Sequence, residues 1–402
     1  MRRTLVVAVV AGVALVGAAA PVAAAPGGGH GGVRELPLPN GKTWVSGLHS
    51  TGSGIVYGDV SGAGGTYGVV WERGRARVIE ASAADSRIES VSEDGVVAGS
   101  YSTHGDGVPR AAVWVGERRV DLGLRGSRPS VARVDRDGDV LVTSYTEEAY
   151  GVVSVWHKGR EHVLANGTAY LAGDPVFGPA GHTLIGTMAA DGGVTYRIWD
   201  ARGRLVAELP QDERFGYLRP HSINSRGQAV FDTFSPGSAR AVVALWDGRA
   251  WVEVVGFPGS GGDTHLGGYE GTRAINDDGE VGAVAGLGPS GPNHVIRWRA
   301  GVVTDLSPDV AAGGYAVIAG INDRGDVGFR ACTDTTWLSC RSRVVDRKGR
   351  TTVLRGLTEP HLAGIDDLVP NRSAAVGRTF ADDAPDRVFT EQGLGPIGSG
   401  RS

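Results

Sequence analysis

The sequence predicts an all-β fold, a β-propeller built from four-stranded blades. Two observations carry this prediction: a motif of about 45 residues that repeats along the chain, and strands that are apolar on consecutive residues. A third is the glycine content of 65 in 402 residues, which shows no collagen-like period and is typical of a chain with many turns.

The clearest copy of the motif spans residues 271–306, and its pattern predicts four strands joined by three turns. The first two strands are expected at 272–276 and 281–285, on either side of an Asn-Asp-Asp-Gly turn. The other two are expected at 295–298 and 302–306. Asn, Asp and Gly suit the first turn because Gly accepts positive φ and Asn or Asp side chains bond to their own backbone.

Two anchors count the copies: the glycine that closes the first turn, and the tryptophan of the third strand. The glycines are Gly54, Gly95, Gly138, Gly181, Gly227, Gly279 and Gly325, and the tryptophans are Trp71, Trp114, Trp156, Trp199, Trp246 and Trp298. In the seventh copy Val345 replaces the tryptophan, and a degraded eighth copy has Ser373 and Phe389 at the anchors. The count predicts eight blades, with seven as the alternative if the eighth copy is only a tail.

Burial on both faces of each sheet explains why the copies should form a ring. Strands such as 68–71 and 241–246 are apolar on consecutive residues, and radial stacking covers both faces of such strands. Each tryptophan is interpreted as a wedge between blades, with a carbohydrate-stacking platform as the alternative. Residues 33–38 resemble the last strand of the other copies, which predicts that the N-terminal strand completes the final blade and disfavours an open solenoid.

The N-terminal region predicts export. Arg2 and Arg3 precede an apolar stretch and small residues, the pattern of a signal peptide at 1–24, with Sec and twin-arginine export both open. A flexible glycine-rich linker at 25–32, a single propeller domain at 33–397 and a C-terminal tail at 398–402 complete the expected organisation. We expect a secreted or extracellular protein, with cell-wall association open, and no membrane span after the signal is removed.

Charge and cysteine content narrow the expected partners and redox state. A formal net charge of −4 argues against a nucleic-acid partner. We expect a monomer whose partner is an extracellular protein or glycan. Cys332 and Cys340 flank a loop in the seventh copy, and a disulfide is expected between them in an oxidising compartment. A reactive thiol pair or a zinc site is the alternative, disfavoured because no histidine lies nearby.

The motif also resembles the extracellular HAF-repeat family. The stretches 275–281 (INDDGEV) and 321–327 (INDRGDV) are similar to that family's Ile-Asn-x-x-Gly turn and Val-Val-Gly strand. The name-giving His-Ala-Phe tripeptide is replaced, for example by Ala112-Val113-Trp114. The resemblance covers roughly two thirds of the mature chain, implies a secreted fold of propeller-type repeats, and brings no assigned activity with it.

Loop lengths locate the first candidate binding surface. The connections between second and third strands, and those between blades, vary in length and emerge on the same face of a propeller, called here the variable face. The longest connection, 257–271, is expected to bring four side chains over this face: Asp263, His265, Tyr269 and Glu270. An ordinary solvated loop is the alternative.

The central channel, lined by the first strand of each blade, is the second candidate. Its expected lining residues stand five or six positions before the anchor glycines: His49, Glu89, Arg133, His221 and Arg273. Charged and imidazole groups in stacked strands need partners or water. A water-filled channel explains them, and a ligand site or a catalytic carboxylate pair is the alternative.

The sequence contains no Gly-x-Ser-x-Gly or His-Glu-x-x-His motif, and no cofactor is expected. Asp135, Asp137 and Asp139 are a weak calcium candidate because they place carboxylates at alternate positions. The same turn recurs without carboxylates at 178–181, which favours turn chemistry over calcium binding.

The expected function is a binding module for extracellular protein, glycan or cell-wall material. The alternative is a propeller enzyme acting on polysaccharide, which would need two carboxyls converging within about 5 to 10 Å on the variable face or in the channel. A purely structural envelope protein is the third class, and it would show neither a pocket nor exposed aromatic side chains.

Overall fold

The computed structural model describes residues 33–392 apart from short gaps at 63, 81–82, 105–106, 123–130, 239, 268–271, 289–290, 335–338, 355–362, 371–373 and 380–385. The described chain forms eight antiparallel blades arranged as a β-propeller, together with one short 3₁₀ turn at Pro179–Gly181. The predicted fold class and the count of eight blades are confirmed. No helix in these residues is long and apolar enough to cross a membrane.

The first strand of the chain, β1 (Val33–Leu36), belongs to the last blade, and the first four blades follow it in order. Blade 1 contains β2 (Lys42–Ser50), β3 (Val56–Gly62), β4 (Gly65–Glu72) and β5 (Arg75–Val78). Blade 2 contains β6 (Asp85–Val91), β7 (Val97–Ser102), β8 (Arg110–Val115) and β9 (Arg118–Asp121). Blade 3 contains β10 (Val131–Val134), β11 (Val140–Tyr145), β12 (Gly151–His157) and β13 (Arg160–Asn166). Blade 4 contains β14 (Tyr170–Leu171) and β15 (Val176–Phe177), which are two pieces of its first strand, then β16 (Thr183–Met188), β17 (Val194–Trp199) and β18 (Leu205–Leu209).

The remaining four blades repeat this arrangement. Blade 5 contains β19 (Arg219–Ile223), β20 (Ala229–Ser235), β21 (Arg240–Trp246) and β22 (Trp251–Val254). Blade 6 contains β23 (Thr264–His265), β24 (Val281–Gly286), β25 (Asn293–Arg299) and β26 (Val302–Asp305). Blade 7 contains β27 (Tyr315–Ile321), β28 (Val327–Cys332), β29 (Cys340–Val345) and β30 (Thr351–Val353). Blade 8 contains β31 (Ala363–Leu368), β32 (Ala374–Thr379) and β33 (Arg387–Gln392), followed in space by β1.

The first strand of each blade is innermost. Polar side chains on these strands hold the next blade's first strand: Asp367 accepts the Ser50 N–H at 2.8 Å, and Ser90 accepts the Val134 N–H at 2.5 Å. The last strands lie outside, where Val302 is exposed. Because strand directions alternate within a blade, the loops after second strands and those between blades emerge on one face, as predicted.

The N-terminal strand closes the ring. Strand β1 pairs antiparallel with β33, with Val33 opposite Glu391 and Leu36 opposite Val388. The Glu35 carboxylate accepts two hydrogen bonds from the Arg387 guanidinium, at 2.8 and 2.6 Å. The predicted closure is therefore confirmed. Residues 393–397, the last part of the expected domain, lie outside the described residues.

The tryptophans pack between neighbouring blades. Trp114 of blade 2 shares a buried cluster with Val70 of blade 1, and Trp298 of blade 6 shares one with Val243 of blade 5. Trp71 packs with Val376 and so joins blade 1 to blade 8 across the closure. These side chains are at most 5 % exposed, which confirms the interpretation as wedges. Two members of the set, Trp156 and Trp199, are only partly buried.

Blade 6 departs from the sequence prediction in its first strand. The strand expected at 272–276 is reduced to one bridge, between Ile275 and Val281, and the paired residues lie earlier, in β23. The reason is tertiary: Leu266 is fully buried between blades 5 and 6, and its N–H donates to Asp232 of blade 5 at 2.7 Å. That bond takes the backbone out of the β-ladder after His265.

Cys332 and Cys340 form a disulfide, as predicted. The two residues are directly opposite each other in the β28–β29 pair. The bond therefore closes the second-to-third-strand connection of blade 7, on the variable face.

Candidate functional site

The variable face carries the exposed aromatic side chains of the described chain. Trp44 is 68 % exposed at the beginning of β2, and Tyr217 is 55 % exposed in the connection from blade 4 to blade 5. Tyr170, in β14, and Phe234, near the end of β20, are each 42 % exposed. All four positions are at the variable-face ends of their blades.

The predicted cluster in the 257–271 connection is only partly described, and its described members have structural partners. The Asp263 carboxylate accepts the Ala241 N–H at 2.9 Å and so fastens blade 5 to this segment. His265 is half-buried in strand β23, paired with Val284, rather than in a loop. Tyr269 and Glu270 lie outside the described residues. The loop character predicted for His265 is therefore wrong.

The channel residues expected from their spacing lie at the inner edge of the blades. His49, Glu89, Arg133 and His221 are half-buried in the first strands of blades 1, 2, 3 and 5. Glu89 and Arg133 form an ion pair of 3.4 Å between blades 2 and 3, and Arg133 also donates to the Pro175 carbonyl at 2.9 Å. Burial lowers the pKa of both His49 and His221, because water-poor surroundings disfavour the imidazolium.

Two further channel carboxyls, Asp366 and Asp367 of β31, were not among the predicted residues. Burial raises the pKa of Asp366 to about 6, although its 3.1 Å ion pair with Arg378 opposes this rise. Burial likewise raises the pKa of Asp367 to about 7, although the hydrogen bonds that it accepts from Ser50 oppose this rise. A signal existed in the sequence, because Asp367 stands six positions before the eighth anchor, Ser373.

An ion pair crosses the opposite mouth of the channel, on the face of the repetitive turns. Arg136 of blade 3 lies 3.8 Å from Asp277 of blade 6, although these blades are not neighbours. Arg273 is anchored at the same mouth by Asp277 at 3.3 Å and by a second carboxylate, Asp323 of blade 7. Arg273 therefore serves to hold turns together at the rim, and this mouth is narrowed by side chains.

The aspartates considered for calcium form a turn in blade 3. Asp135 Oδ1 accepts the N–H groups of Asp137 and Asp139, each at 2.9 Å, and this confirms the turn interpretation. Asp139 in turn contacts His157 Nδ1 at 2.8 Å. Burial, with the neighbouring Asp139 carboxylate, raises the pKa of Asp135 to about 7. The described residues contain no group of three or more His, Cys, Asp or Glu side chains arranged to hold a metal ion.

A cavity of about 550 Å³ opens beside this turn, between blades 2, 3 and 4 on the repetitive-turn face. Valines such as Val113 and Val140 form its apolar wall, and Asp94, Lys158 and Arg202 are among its polar lining. Sequence reasoning missed this cavity because short, repetitive turns gave no sign of a binding surface. Its volume is in the range of small-molecule sites. Its rim carries both acidic and basic side chains, so the rim does not select a ligand of one charge.

The blades and their closure define the class of the protein, an eight-bladed β-propeller. Among solved structures, the chain is similar to dipeptidyl peptidase 4 from Porphyromonas gingivalis (TM-score 0.55, 11% identity, covering 86% of this chain and 57% of that one). It is also similar to prolyl oligopeptidase B from Galerina marginata, with a TM-score of 0.53 at 11% identity, covering 87% of this chain and 55% of that one. The β-propeller domain of the Trilobed protease from Pyrococcus furiosus aligns with a TM-score of 0.47 at 11% identity, covering 89% of this chain and 98% of that one.

These similarities support the fold alone, because 11% identity carries no information about activity. The chain spans a little over half the length of the two peptidases, 57% and 55%. No protein-family model matches the sequence, and no curated protein sequence matches it.

Proposed function

We propose that the protein is a secreted binding module that holds an extracellular ligand on its variable face. The observation that carries this proposal is the placement of the exposed aromatic residues. Among the described residues, Trp44, Tyr170, Tyr217 and Phe234 are the aromatic side chains that stand out as exposed, and all four lie on that face. Exposed Trp and Tyr rings offer apolar contact area with little conformational entropy to lose, which suits a protein, glycan or cell-wall ligand.

The chemistry of the chain supports an extracellular setting for this role. The Cys332–Cys340 disulfide suits an oxidising compartment, and it stabilises a loop on the same face. The resemblance to HAF repeats also predicts secretion. The acids described in the channel and in the 257–271 connection each have a partner group, such as Arg133 for Glu89 and the Ala241 amide for Asp263. This pairing favours binding over catalysis.

An array of extracellular polymers tests the proposal. The mature chain and a variant with Trp44, Tyr170, Tyr217 and Phe234 all changed to alanine are applied to glycans, peptidoglycan fragments and peptides. Lys158→Ala/Arg202→Ala, which alters the cavity on the opposite face, is the matched control. We expect the control to bind like the wild type and the aromatic variant to lose binding. Equal binding by all three proteins contradicts the proposal.

A polysaccharide-cleaving enzyme is the second candidate, because one observation favours it. Asp366 has an Oδ2 atom that is buried without a hydrogen-bond partner, and its pKa is raised to about 6, as a general acid near neutral pH requires. Release of reducing ends from polysaccharides by the wild type, and its loss in Asp366→Asn, would support this candidate. If the wild type releases no reducing ends from the polysaccharides that it binds, the enzyme candidate is wrong and the binding module stands.

A further inference from the structure

One part of the variable face, at the junction of blades 3 and 4, combines an exposed ring, Tyr170, and a half-buried ring, Tyr150, with carboxylates. The rings of Tyr150 and Tyr170 lie 4.7 Å apart between centroids, with their planes tilted by 56°. Met188, which is opposite Tyr170 in the β14–β16 pair, extends the apolar surface. We call the following set the acidic aromatic patch: Tyr150, Tyr170, Met188, Glu147, Glu148, Asp174 and Asp191.

The backbone holds the patch in place before any ligand arrives. Thr146 closes a tight loop because its N–H donates to the Tyr150 carbonyl at 2.9 Å and its hydroxyl accepts the Tyr150 N–H at 3.2 Å. The N–H of Gly151 donates to the Ala169 carbonyl at 2.9 Å, which ties this loop to the strand that carries Tyr170. A surface that is ordered in advance loses less entropy on binding.

The charge of the patch has one sign. The three loops that form it, 145–151, 166–175 and 188–194, contain four carboxylates and no lysine, arginine or histidine. The carboxylates Glu147, Glu148, Asp174 and Asp191 are all exposed. The neighbouring cation, Arg133, is engaged by Glu89 and by the Pro175 carbonyl. Tyr145 reaches across from blade 3 and donates to Asp174 at 3.5 Å.

We infer that the acidic aromatic patch docks an extended, basic segment of an extracellular protein, with a lysine or arginine side chain over the Tyr150–Tyr170 pair. Charge complementarity selects this occupant, because aromatic faces attract cations, and the four carboxylates, which form no ion pair with another described residue, strengthen that attraction. A neutral glycan would use the rings but leave the four charges without counter-ions. The other exposed aromatic of this region, Tyr217, lies in a connection that also contains Arg214, so its surroundings are of mixed charge. The inference rests on the proposed function and names the ligand class for it.

The test measures binding of a synthetic hexapeptide of alternating lysine and glycine by titration calorimetry. A peptide with glutamate in place of lysine and a hexasaccharide of N-acetylglucosamine are the comparison probes. The variants are Tyr170→Ala and Glu147→Gln/Glu148→Gln. The controls are Val302→Ala, an exposed apolar residue on the outer strand of blade 6, and Glu213→Gln, an exposed carboxylate outside the patch. Thermal melts confirm that each variant is folded.

We expect the lysine peptide to bind the wild type, and more weakly as NaCl rises from about 50 to 500 mM, because salt screens exposed charges. Tyr170→Ala should weaken binding about three- to tenfold. The double glutamine variant should lower both the affinity and its salt dependence, while both controls bind like the wild type. Failure of the wild type to bind the lysine peptide, or undiminished binding by both patch variants, overturns the inference. Binding of the hexasaccharide instead, lost in Tyr170→Ala, overturns it while leaving the proposed function standing.

Discussion

Replacing Asp135 with asparagine should stabilise the propeller, because blades 6 and 7 have asparagine at the same position of the turn. The Asn276 amide donates to Glu280 at 2.9 Å and the Asn322 amide to Asp326 at 3.2 Å. Asp135 in blade 3 has no such amide hydrogen, and its Oδ2 atom is buried without a hydrogen-bond partner. The carboxyl therefore occupies a place that suits an amide, beside a second carboxyl, Asp139.

The pH dependence follows from the direction of the pKa shift. A carboxyl with a higher pKa in the folded chain contributes stability at low pH, and that stability is lost as pH rises through the folded value. For Asp135 the ordinary value is 3.8 and the folded value about 7. Raising the pH from 5 to 8 should therefore cost the wild type roughly 2 to 3 kcal/mol of unfolding free energy at this group. Asp135→Asn removes this cost, so its gain should be roughly 1 to 3 kcal/mol at pH 8.

Urea unfolding at pH 5 and pH 8, followed by tryptophan fluorescence, measures the effect. Asp137→Asn is the control, since Asp137 is exposed in the same turn and its own N–H keeps the bond to Asp135. We expect the unfolding free energy of Asp135→Asn to exceed that of the wild type at pH 8 and to approach it at pH 5. The control should match the wild type at both pH values. Identical stability of Asp135→Asn and wild type at pH 8 would refute the reasoning. A gain of equal size at both pH values would show that Asp135 does not titrate in this range.

Three further predictions concern the fold. Trp298→Ala should lose about 3 to 5 kcal/mol of unfolding free energy in urea, because it leaves a cavity at the junction of two blades. Trp44→Ala, at an exposed position, should lose almost none. Similar losses in the two variants would disprove the wedge. Cys332→Ser/Cys340→Ser should lose about 2 to 3 kcal/mol, since the disulfide closes a short loop, and a thiol assay of the purified wild type should find no free thiol. Deletion of Val33–Leu36 should lower the melting temperature by exposing the edge of β33, and an unchanged melting temperature would show that the stability of the ring does not depend on β1.

The repeat made most of the fold predictable from sequence. Anchors equivalent to Gly279 recur in seven copies and those equivalent to Trp298 in six, which allowed the blades to be counted, and the segment at 33–38 predicted the closure that β1 provides. The first strand of blade 6 was not predictable from local pattern. Residues 272–276 look like a strand, but the burial of Leu266 and its bond to Asp232 decide where the ladder begins.

The candidate site was less predictable for a physical reason. The acidic aromatic patch is built from three loops of two blades. Tyr150 and Tyr170 are neighbours in space but are 20 positions apart in the sequence. The exposed aromatic side chains lie on the face that the loop lengths singled out, but within the 257–271 connection Asp263 and His265 have structural roles. Sequence spacing found residues on the inner strands, such as His49 and Arg133, because innermost strands follow the repeat.

Hydrogen exchange of the wild type, with and without the bound ligand found on the array, tests the central claim most directly. The account predicts that the ligand protects amides of the variable face, with the strongest effect in 145–151, 166–175 and 188–194. Protection confined to the repetitive-turn face, around the cavity lined by Asp94, Lys158 and Arg202, would contradict it and move the binding site to the other side of the propeller.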